Sequence, residues 1–343
     1  MKVAVVGVTG VVGETILRVL DERGVAVDEL AAFASRDRDA PLAWRGRVWP
    51  IRAATPEALR AGAFDAVFFA SSDDASESLA RHAVDGGAVV IDNSAAFRMR
   101  DDVPLVVPEV NPHAVEPHHA IFPVANCTAI VLCVALAPIA KLAGLRSVRV
   151  ATYQAVSGAG RAGLDALASQ ELASLDGAAA EAGTRAGSPF VAPIFRNVIP
   201  QIGSFDAAGD SGEEKKVAAE TRKMLGLPNL HVAATTVRVP VRFAHSEAVF
   251  VETERDVTVA GLLDALEAAP GVVARRTGIA TPLDVEGDDR VHVARVRAEG
   301  DSQRHFQLWV VGDQVRKGAA TNAVQILELL IERGRFARSG ARA

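Results

Sequence analysis

Cysteine is scarce in this sequence. Only two of its 343 residues are cysteines, Cys127 and Cys133, and they lie close together in the chain. Two neighbouring thiols cannot form the disulfide framework that holds small secreted domains together, so that class of protein is excluded. A low cysteine content is typical of a reducing compartment, where a cysteine belongs either to the core or to a chemical site.

Positive charge and long apolar runs are also lacking. Lysine and arginine number 37 against 42 acidic residues, which argues against a nucleic-acid partner because phosphates need a basic surface. No apolar stretch reaches the roughly 18 residues of a membrane span. The N-terminal apolar run breaks at Gly7, unlike that of a signal peptide. Metal-binding and Walker motifs are absent. We therefore expect a cytoplasmic protein with no membrane segment and no metal site.

The length and the apolar content predict two domains. A chain of 343 residues exceeds one typical domain, and its 49% hydrophobic residues can bury a large core. We predict a nucleotide-binding domain over 1–127 and a second domain over 128–317. A final amphipathic helix within 318–343 is expected to return to the first domain.

The first segment of the chain has the pattern of a nucleotide site. Residues 2–6 form a short β-branched run, and Gly7, Gly10 and Gly13 follow at the spacing G-x-x-G-x-x-G before a helical pattern. Glycines let the backbone approach a pyrophosphate, and the start of a helix supplies free N–H groups. This arrangement predicts a dinucleotide-binding turn, although a tight turn without a ligand is the alternative.

Further strands at 29–35, 66–70 and 88–92 alternate with helical segments, which predicts a Rossmann-type, doubly wound α/β sheet. The second strand ends in Ser35 and Arg36. A hydroxyl and a guanidinium suit the 2′-phosphate of NADP, whereas NAD sites usually carry an acidic residue there. NADP is therefore the favoured cofactor, with the neighbouring Asp37 as the feature that argues against it.

Cys127 stands directly before an apolar helix predicted over 128–144. The helix dipole stabilises a thiolate at that position, so Cys127 is a candidate nucleophile. A buried structural thiol is the alternative for Cys127 and the expected role of Cys133. Beyond this helix, strand-like segments such as 235–254 predict a mixed α/β domain.

Nine segments resemble, in the same order, those of the aspartate-β-semialdehyde dehydrogenase family. They are GVTGVVG, NSAAFRM, VPLVVPEVN, NCTAI, YQAVSGAG, NVIPQIG, VRVPV, HSEAV and GDQVRKGAATNAVQI. The resemblance implies a homodimer with a Rossmann-type domain and a mixed α/β domain for substrate and dimer contacts. It also implies NADPH-dependent reductive dephosphorylation of L-4-aspartyl phosphate to L-aspartate 4-semialdehyde, a step in lysine, threonine, methionine and diaminopimelate biosynthesis.

The same resemblance implies roles for individual residues in catalysis and substrate binding. Cys127 is similar to the acyl-thioester nucleophile, His245 to the acid–base group, and Gln154 to the residue that positions substrate and thiol. Arg238 resembles the arginine that grips the substrate α-carboxylate, and Glu213 the glutamate that helps to hold the substrate amine. These residue types suit the reaction, because it needs a thiolate, a group that titrates near neutrality and a fork for a carboxylate.

The resemblance extends to phosphate and cofactor contacts. Arg98 and Lys216 are similar to the pair that binds inorganic phosphate. Cofactor contacts are implied for Gly7, Thr9, Gly10, Val11, Val12, Gly13, Ser35, Arg36, Ser157, Gly158 and Gln314. The chain departs from the family at Ala244, where a glycine commonly precedes the histidine, and at Lys215, where an aromatic residue often stands.

Two other functions are compatible with parts of this pattern. A related acyl-phosphate reductase, acting on N-acetylglutamyl phosphate or on a glyceraldehyde phosphate, would share the nucleotide domain and the cysteine. A nucleotide-binding paralogue without catalysis would keep the glycine turn alone. The presence of Cys127, Gln154, Arg238 and His245 in one chain argues against the paralogue.

Overall fold

The computed structural model describes residues 1–175 and 188–336 of the chain. The chain divides into two compact units, one formed by Met1–Ala125 with the segment that begins at Ala319, and the other by Asn126–Gly318. Each unit contains one β-sheet.

The first unit is built on a seven-stranded sheet in the order β3-β4-β2-β1-β5-β6-β7. All neighbouring strands run parallel except β3, which pairs antiparallel with β4 at the edge. The central strands are apolar on both faces, as expected for a parallel sheet that is covered by helices. The elements are β1 (Lys2–Val6), α1 (Val11–Glu22), β2 (Glu29–Ala34), β3 (Arg38–Trp44), β4 (Arg47–Ala53), α2 (Pro56–Ala61), β5 (Ala66–Phe69), α3 (Asp73–Asp85), β6 (Val89–Asp92), β7 (Ile121–Pro123) and, from the end of the chain, α9 (Thr321–Glu332).

The second unit is built on a six-stranded mixed sheet in the order β11-β12-β13-β10-β8-β9. Strands β8 and β9 run parallel, whereas β10 is antiparallel to both of its neighbours, β8 and β13. The helix α4 is buried along most of its length. The elements are α4 (Cys127–Ala143), β8 (Ser147–Gln154), α5 (Gly160–Leu175), α6 (Gly212–Leu225), β9 (His231–Arg238), β10 (His245–Glu252), α7 (Val259–Glu267), β11 (Val272–Ala274), α8 (Pro282–Val285), β12 (Val291–Ala298) and β13 (His305–Gly312).

The predicted fold class is confirmed, with local differences. The segment 235–254, expected as one strand, is divided between β9 and β10, because the chain turns between Val239 and Ala244. The β3–β4 hairpin was not predicted, since its strands are polar and contain prolines. It closes through Arg45 and Gly46, which both have positive φ, the conformation that favours a two-residue hairpin turn. The final helix begins at Thr321, after a π-helical turn over Arg316–Ala320.

Candidate active site

Cys127 is the first residue of α4, as the sequence predicts. The Oδ1 atom of Asn126 caps this helix by accepting hydrogen bonds from the N–H groups of Thr128 and Ala129, both at 3.1 Å. Cys127 is partly exposed, whereas Cys133, farther along the helix, is buried. The positive end of the helix dipole therefore lies at the accessible thiol, where it stabilises negative charge on sulfur.

His245, the first residue of β10, faces this thiol. Its Nε2 atom lies 3.6 Å from Sγ of Cys127, and its Nδ1 atom accepts a hydrogen bond of 3.1 Å from the backbone N–H of Ala155. Burial, together with the positive charge of Arg238, holds the pKa of His245 well below its usual value. The ring is therefore neutral near pH 7. Because Nδ1 is occupied as an acceptor, its proton is on Nε2 and points towards sulfur.

The residue before His245 adopts an unusual backbone conformation. Ala244 has a φ of 64° and is buried. This left-handed conformation is costly for any residue with a Cβ and is readily adopted by glycine. Ala244 therefore adopts a conformation typical of glycine, and its methyl group packs in a small cluster with Val285 and Val311.

Gln154 and Glu213 form a polar group beside the thiol. Oε1 of Glu213 accepts hydrogen bonds of 3.0 Å from Nδ2 of Asn126 and from Nε2 of Gln154. The amide of Gln154 is held at its other end as well, because the hydroxyl of Thr152 donates to its Oε1 at 3.1 Å. A carboxylate and an oriented amide therefore stand next to Cys127.

Arg238 ends β9 and is buried in the same site. Its Nη1 atom donates a 2.6 Å hydrogen bond to the carbonyl oxygen of Ala155, and its guanidinium lies 5.9 Å from the ring centre of Phe190. Burial lowers the pKa of Arg238, and the nearby Cys127 and Glu213 act in the opposite direction. Arginine remains charged under such conditions, so Arg238 gives the site a fixed positive charge suited to an anionic substrate group.

Gly158 lies close to these side chains. A Cβ at this position would stand 2.6 Å from Nη1 of Arg238 and 3.4 Å from Cε1 of His245. The absence of a side chain therefore leaves room for the side chains of Arg238 and His245. This role is separate from the cofactor contact that the resemblance implies for Gly158, which stays a prediction.

Ser157 and Gln314 are brought together although they are distant in sequence. Nε2 of Gln314 donates to the hydroxyl of Ser157, which in turn donates to the carbonyl oxygen of Arg242. The Oε1 atom of Gln314 is buried and has no hydrogen-bond partner within residues 1–175 and 188–336. Such an oxygen is free to accept a bond from a bound molecule, which fits the predicted cofactor contact.

The two predicted phosphate ligands occur in different units. Lys216 is exposed on α6, three residues after Glu213 and so on a neighbouring part of the same helix face. Its neighbour Lys215 pairs with Asp206 at 3.0 Å. Arg98 belongs to the first unit, where it donates to the carbonyl oxygens of Val124 and Asn93. Their joint role in binding phosphate stays a prediction.

The glycine turn of the first unit fits a dinucleotide. Gly7 has a φ of 87°, and a Cβ there would stand 2.2 Å from the carbonyl oxygen of Ala70. A Cβ on Gly13 would stand 2.3 Å from the carbonyl oxygen of Gly7, so β1 and α1 approach as closely as backbone allows. Gly10 caps α1 without any side-chain hydrogen bond, which leaves the first N–H groups available. Thr9, Val11 and Val12 belong to the same turn, and all three are at least partly exposed.

Two buried polar atoms lie at the ligand-binding end of the first sheet. Oγ of Ser71 and Oδ1 of Asn93 are buried without a hydrogen-bond partner among the described residues. They follow β5 and β6, at the carboxyl end of the sheet where ligands bind in doubly wound folds. The sequence does not identify either residue as a candidate cofactor contact, because a polar residue after a strand is also typical of a helix N-cap.

Ser35 and Arg36 are exposed just after β2. The neighbouring Asp37 is engaged elsewhere, since its Oδ1 atom accepts a 2.7 Å hydrogen bond from the N–H of Ala53. Asp37 is thus tied to β4, and the feature that argued against NADP is weakened.

Within residues 1–175 and 188–336, none of the helices is long and apolar enough to cross a bilayer. In the same part of the chain, no three His, Cys, Asp or Glu side chains are grouped so as to hold a metal ion.

The chain matches two family models along most of its length. One, described as the semialdehyde dehydrogenase NAD binding domain, matches residues 2–118, and the other, described as the semialdehyde dehydrogenase dimerisation domain, matches residues 136–317. The chain belongs to the semialdehyde dehydrogenase family. The resemblance drawn from its motifs is thereby confirmed.

Individual relatives agree with this assignment. The chain is 41% identical to the aspartate-semialdehyde dehydrogenase of Aquifex aeolicus, with 97% of this chain and 98% of that one covered. It is 40% identical to the enzyme of the same name from Bacillus subtilis, with 96% and 97% covered. A crystal structure of aspartate semialdehyde dehydrogenase II from Vibrio cholerae, complexed with ASA, matches with a TM-score of 0.90 at 39% identity, covering 96% of this chain and 98% of that chain.

The two cysteines should differ sharply in reactivity. Burial raises the pKa of Cys133 far above its usual value, while Cys127 is accessible at a helix start. Iodoacetamide should therefore modify Cys127 and leave Cys133 intact in the folded protein, as peptide mass spectrometry can measure. Unfolding in urea, as the control, should expose both thiols. Faster labelling of Cys133 in the folded protein would show that the two roles are exchanged.

Glu247 is an acid that sequence reasoning missed. It lies two residues after His245 on β10, opposite Thr152 and Val310 on the adjacent strands. Its side chain is fully buried, and neither carboxyl oxygen has a hydrogen-bond partner in the described part of the chain. Burial raises the pKa of Glu247 well above its usual value, so folding favours the protonated, neutral form of this carboxyl.

The raised pKa of Glu247 predicts a pH-dependent stability. The folded state keeps its proton above about pH 4.5, where the unfolded chain loses it. Stability is therefore lost as pH rises towards the folded pKa, by up to about 1.4 kcal/mol per pH unit. Glu247→Gln removes this loss, so its advantage over the wild type in urea unfolding should grow as the pH rises above about 5. Glu254→Gln, on the exposed residue after β10, is the control. A pH-independent difference would mean that Glu247 is ionised.

Proposed function

We propose that the chain is an NADP-dependent aspartate-semialdehyde dehydrogenase. It converts L-4-aspartyl phosphate to L-aspartate 4-semialdehyde and inorganic phosphate, or runs the reverse reaction. The observation that carries the proposal is the approach of Cys127 Sγ to His245 Nε2 at 3.6 Å beside the buried Arg238. Support also comes from relatives of that name at about 40% identity over nearly the full length.

The thiolate of Cys127 attacks the acyl carbon of the aspartyl phosphate. The C–S bond forms as the bond to the phosphate oxygen breaks, which gives a thioester and releases inorganic phosphate. A thioester accepts hydride more readily than a carboxylate, which is the reason for covalent catalysis here. NADPH supplies that hydride when it is bound. Collapse of the resulting hemithioacetal releases the aldehyde and restores the thiolate.

His245 stabilises the negative charge that passes from sulfur to oxygen during these steps. Its Nε2–H can donate first to the thiolate and then to the oxygen on which negative charge develops. Full proton transfer passes through the imidazolium form, which burial and the charge of Arg238 oppose. A substrate carboxylate paired with Arg238 removes part of that opposition, so we infer that acid–base catalysis by His245 depends on a bound substrate.

Arg238 and Glu213 divide the recognition of the substrate. The guanidinium of Arg238 uses Nη1 for the backbone of Ala155, and its remaining N–H groups suit the α-carboxylate. The carboxylate of Glu213 suits the α-ammonium group. Gln154, bound to Glu213, then holds the substrate close to Cys127. The α-carboxylate and the α-ammonium group of an aspartyl substrate would thus each have a partner of opposite sign.

We also propose that the protein is a cytoplasmic homodimer. The face of the second sheet that carries Tyr153 and Phe250 leaves these large side chains about two-fifths exposed, at 39% and 38%. A shallow hollow on this face is lined by Arg149, Val150, Ala151, Ala233, Ala234, Thr235 and Phe250. A second copy of the chain would cover this surface, in line with the family model described as a dimerisation domain.

Phe250→Glu should convert the dimer to a monomer in analytical ultracentrifugation.

The function is tested by phosphate-dependent reduction of NADP with aspartate semialdehyde. N-acetylglutamate semialdehyde and glyceraldehyde 3-phosphate serve as the competing substrates, and NAD as the competing cofactor. We expect turnover with aspartate semialdehyde, NADP and phosphate together, and none in Cys127→Ser. Preference for either competing aldehyde would replace the proposal with the related reductase.

Replacement of Arg238 by lysine should weaken substrate recognition. Lysine keeps the positive charge but loses the planar fork, and one charge-assisted hydrogen bond contributes on the order of 1.5–3 kcal/mol. Arg238→Lys should lower kcat/KM by about 10²-fold, since roughly 1.4 kcal/mol corresponds to a factor of ten.

The matched control is Arg242→Lys, at an exposed arginine on the connection between β9 and β10. It should keep kcat/KM close to that of the wild type. If both substitutions lowered kcat/KM equally, Arg238 would not be the specific partner of the substrate α-carboxylate.

A further inference from the structure

The carboxylate of Asp313, directly after β13, is buried and receives three backbone hydrogen bonds. Its Oδ1 atom accepts from the N–H groups of Val315 at 2.9 Å and Arg316 at 3.0 Å, and its Oδ2 atom accepts from the N–H of Gly287 at 2.9 Å. Hydrogen bonds to an ionised acceptor are shorter and stronger than those between neutral groups. Asp313 therefore fixes the start of its own segment and ties it to the loop before β12.

The segment held by Asp313 reaches the active site at two points. Next to Asp313, Gln314 donates to Ser157. At its far end, the N–H of Gly318 donates to the carbonyl oxygen of Asp313 at 3.1 Å. A Cβ on Gly318 would stand only 2.8 Å from Cβ of Cys127. The backbone of this segment is thus packed directly on the nucleophile.

A second tie joins the same two loops. Nε of Arg316 donates to Oδ1 of Asp289 at 2.8 Å. This pair links two side chains, whereas Asp313 binds backbone N–H groups. A substitution of Asp289 therefore tests the effect of joining the two loops, and a substitution of Asp313 tests the effect of positioning the backbone.

We propose that Asp313 is a positioning residue, which acts through Gln314 and Gly318 on the chemistry at Cys127. The inference rests on the proposed function for the reaction that it serves. Without the carboxylate, the N–H groups of Val315, Arg316 and Gly287 lose their acceptor. The segment then no longer holds Gln314 against Ser157 or Gly318 against Cys127.

The test compares Asp313→Ala, Asp313→Asn and Asp289→Asn in the full-length protein. The alanine variant removes both acceptor oxygens and so all three hydrogen bonds, while asparagine keeps Oδ1 for two donors and faces Gly287 with an N–H group. We expect NADPH dissociation constants, from cofactor fluorescence, to rise about tenfold or more in Asp313→Ala and by a smaller factor in Asp313→Asn. The rate of Cys127 alkylation should also differ from that of the wild type, more in Asp313→Ala than in Asp313→Asn. Asp289→Asn should stay within about twofold of the wild type in both.

Steady-state kinetics completes the test. Asp313→Asn should raise KM for NADP and lower kcat, with less change in KM for the aldehyde. Unchanged kinetics, NADPH binding and alkylation in a folded Asp313→Asn would overturn the proposal, even if the alanine variant did not fold. Alkylation needs no substrate. If the wild type failed to oxidise aspartate semialdehyde, the proposed function would fall while the role of Asp313 would still be decided.

Discussion

The site depends on stabilising negative charge on the sulfur of Cys127, which is only partly exposed. Three features of the second unit act on this charge. The N-terminus of α4 directs its dipole to the thiol, the neutral His245 presents an N–H group, and Arg238 supplies a fixed positive charge. Charges interact strongly where water is scarce, so these groups need not be numerous. Their arrangement follows from β9 ending, and β10 beginning, beside the start of α4.

The backbone contributes as much to this arrangement as the side chains. Ala155 uses its N–H to set the tautomer of His245 and its carbonyl oxygen to hold Arg238. Gly158 leaves the space that both side chains occupy, and Ala244 accepts a strained conformation directly before the histidine. Pre-organised groups of this kind need no rearrangement when the substrate charge develops. A small shift of the connection between β8 and α5 would therefore disturb several side chains of the candidate site together.

The sequence allowed the general architecture to be predicted, and it pointed to the candidate reactive side chains that the structure brings together. The glycine turn, the strand–helix alternation and Cys127 at a helix start follow from local patterns, and the structure has them where they were expected. Asn126 could have been recognised, because a helix-capping residue has a known signature. The roles of Ala155 and Asp313 could not, since they depend on hydrogen bonds between segments distant in sequence. Glu247 was missed because a buried, unpaired acid contradicts the usual pattern of solvent-exposed charge.

The central claim is that Cys127 carries the acyl group. Incubation with aspartate semialdehyde and NADP in the absence of phosphate should accumulate the thioester, because the acceptor that releases it is missing. Intact-protein and peptide mass spectrometry should then find one added aspartyl group, located on Cys127, absent from Cys127→Ser and lost when phosphate is added. Turnover without this adduct, or an adduct on another residue, would contradict the account.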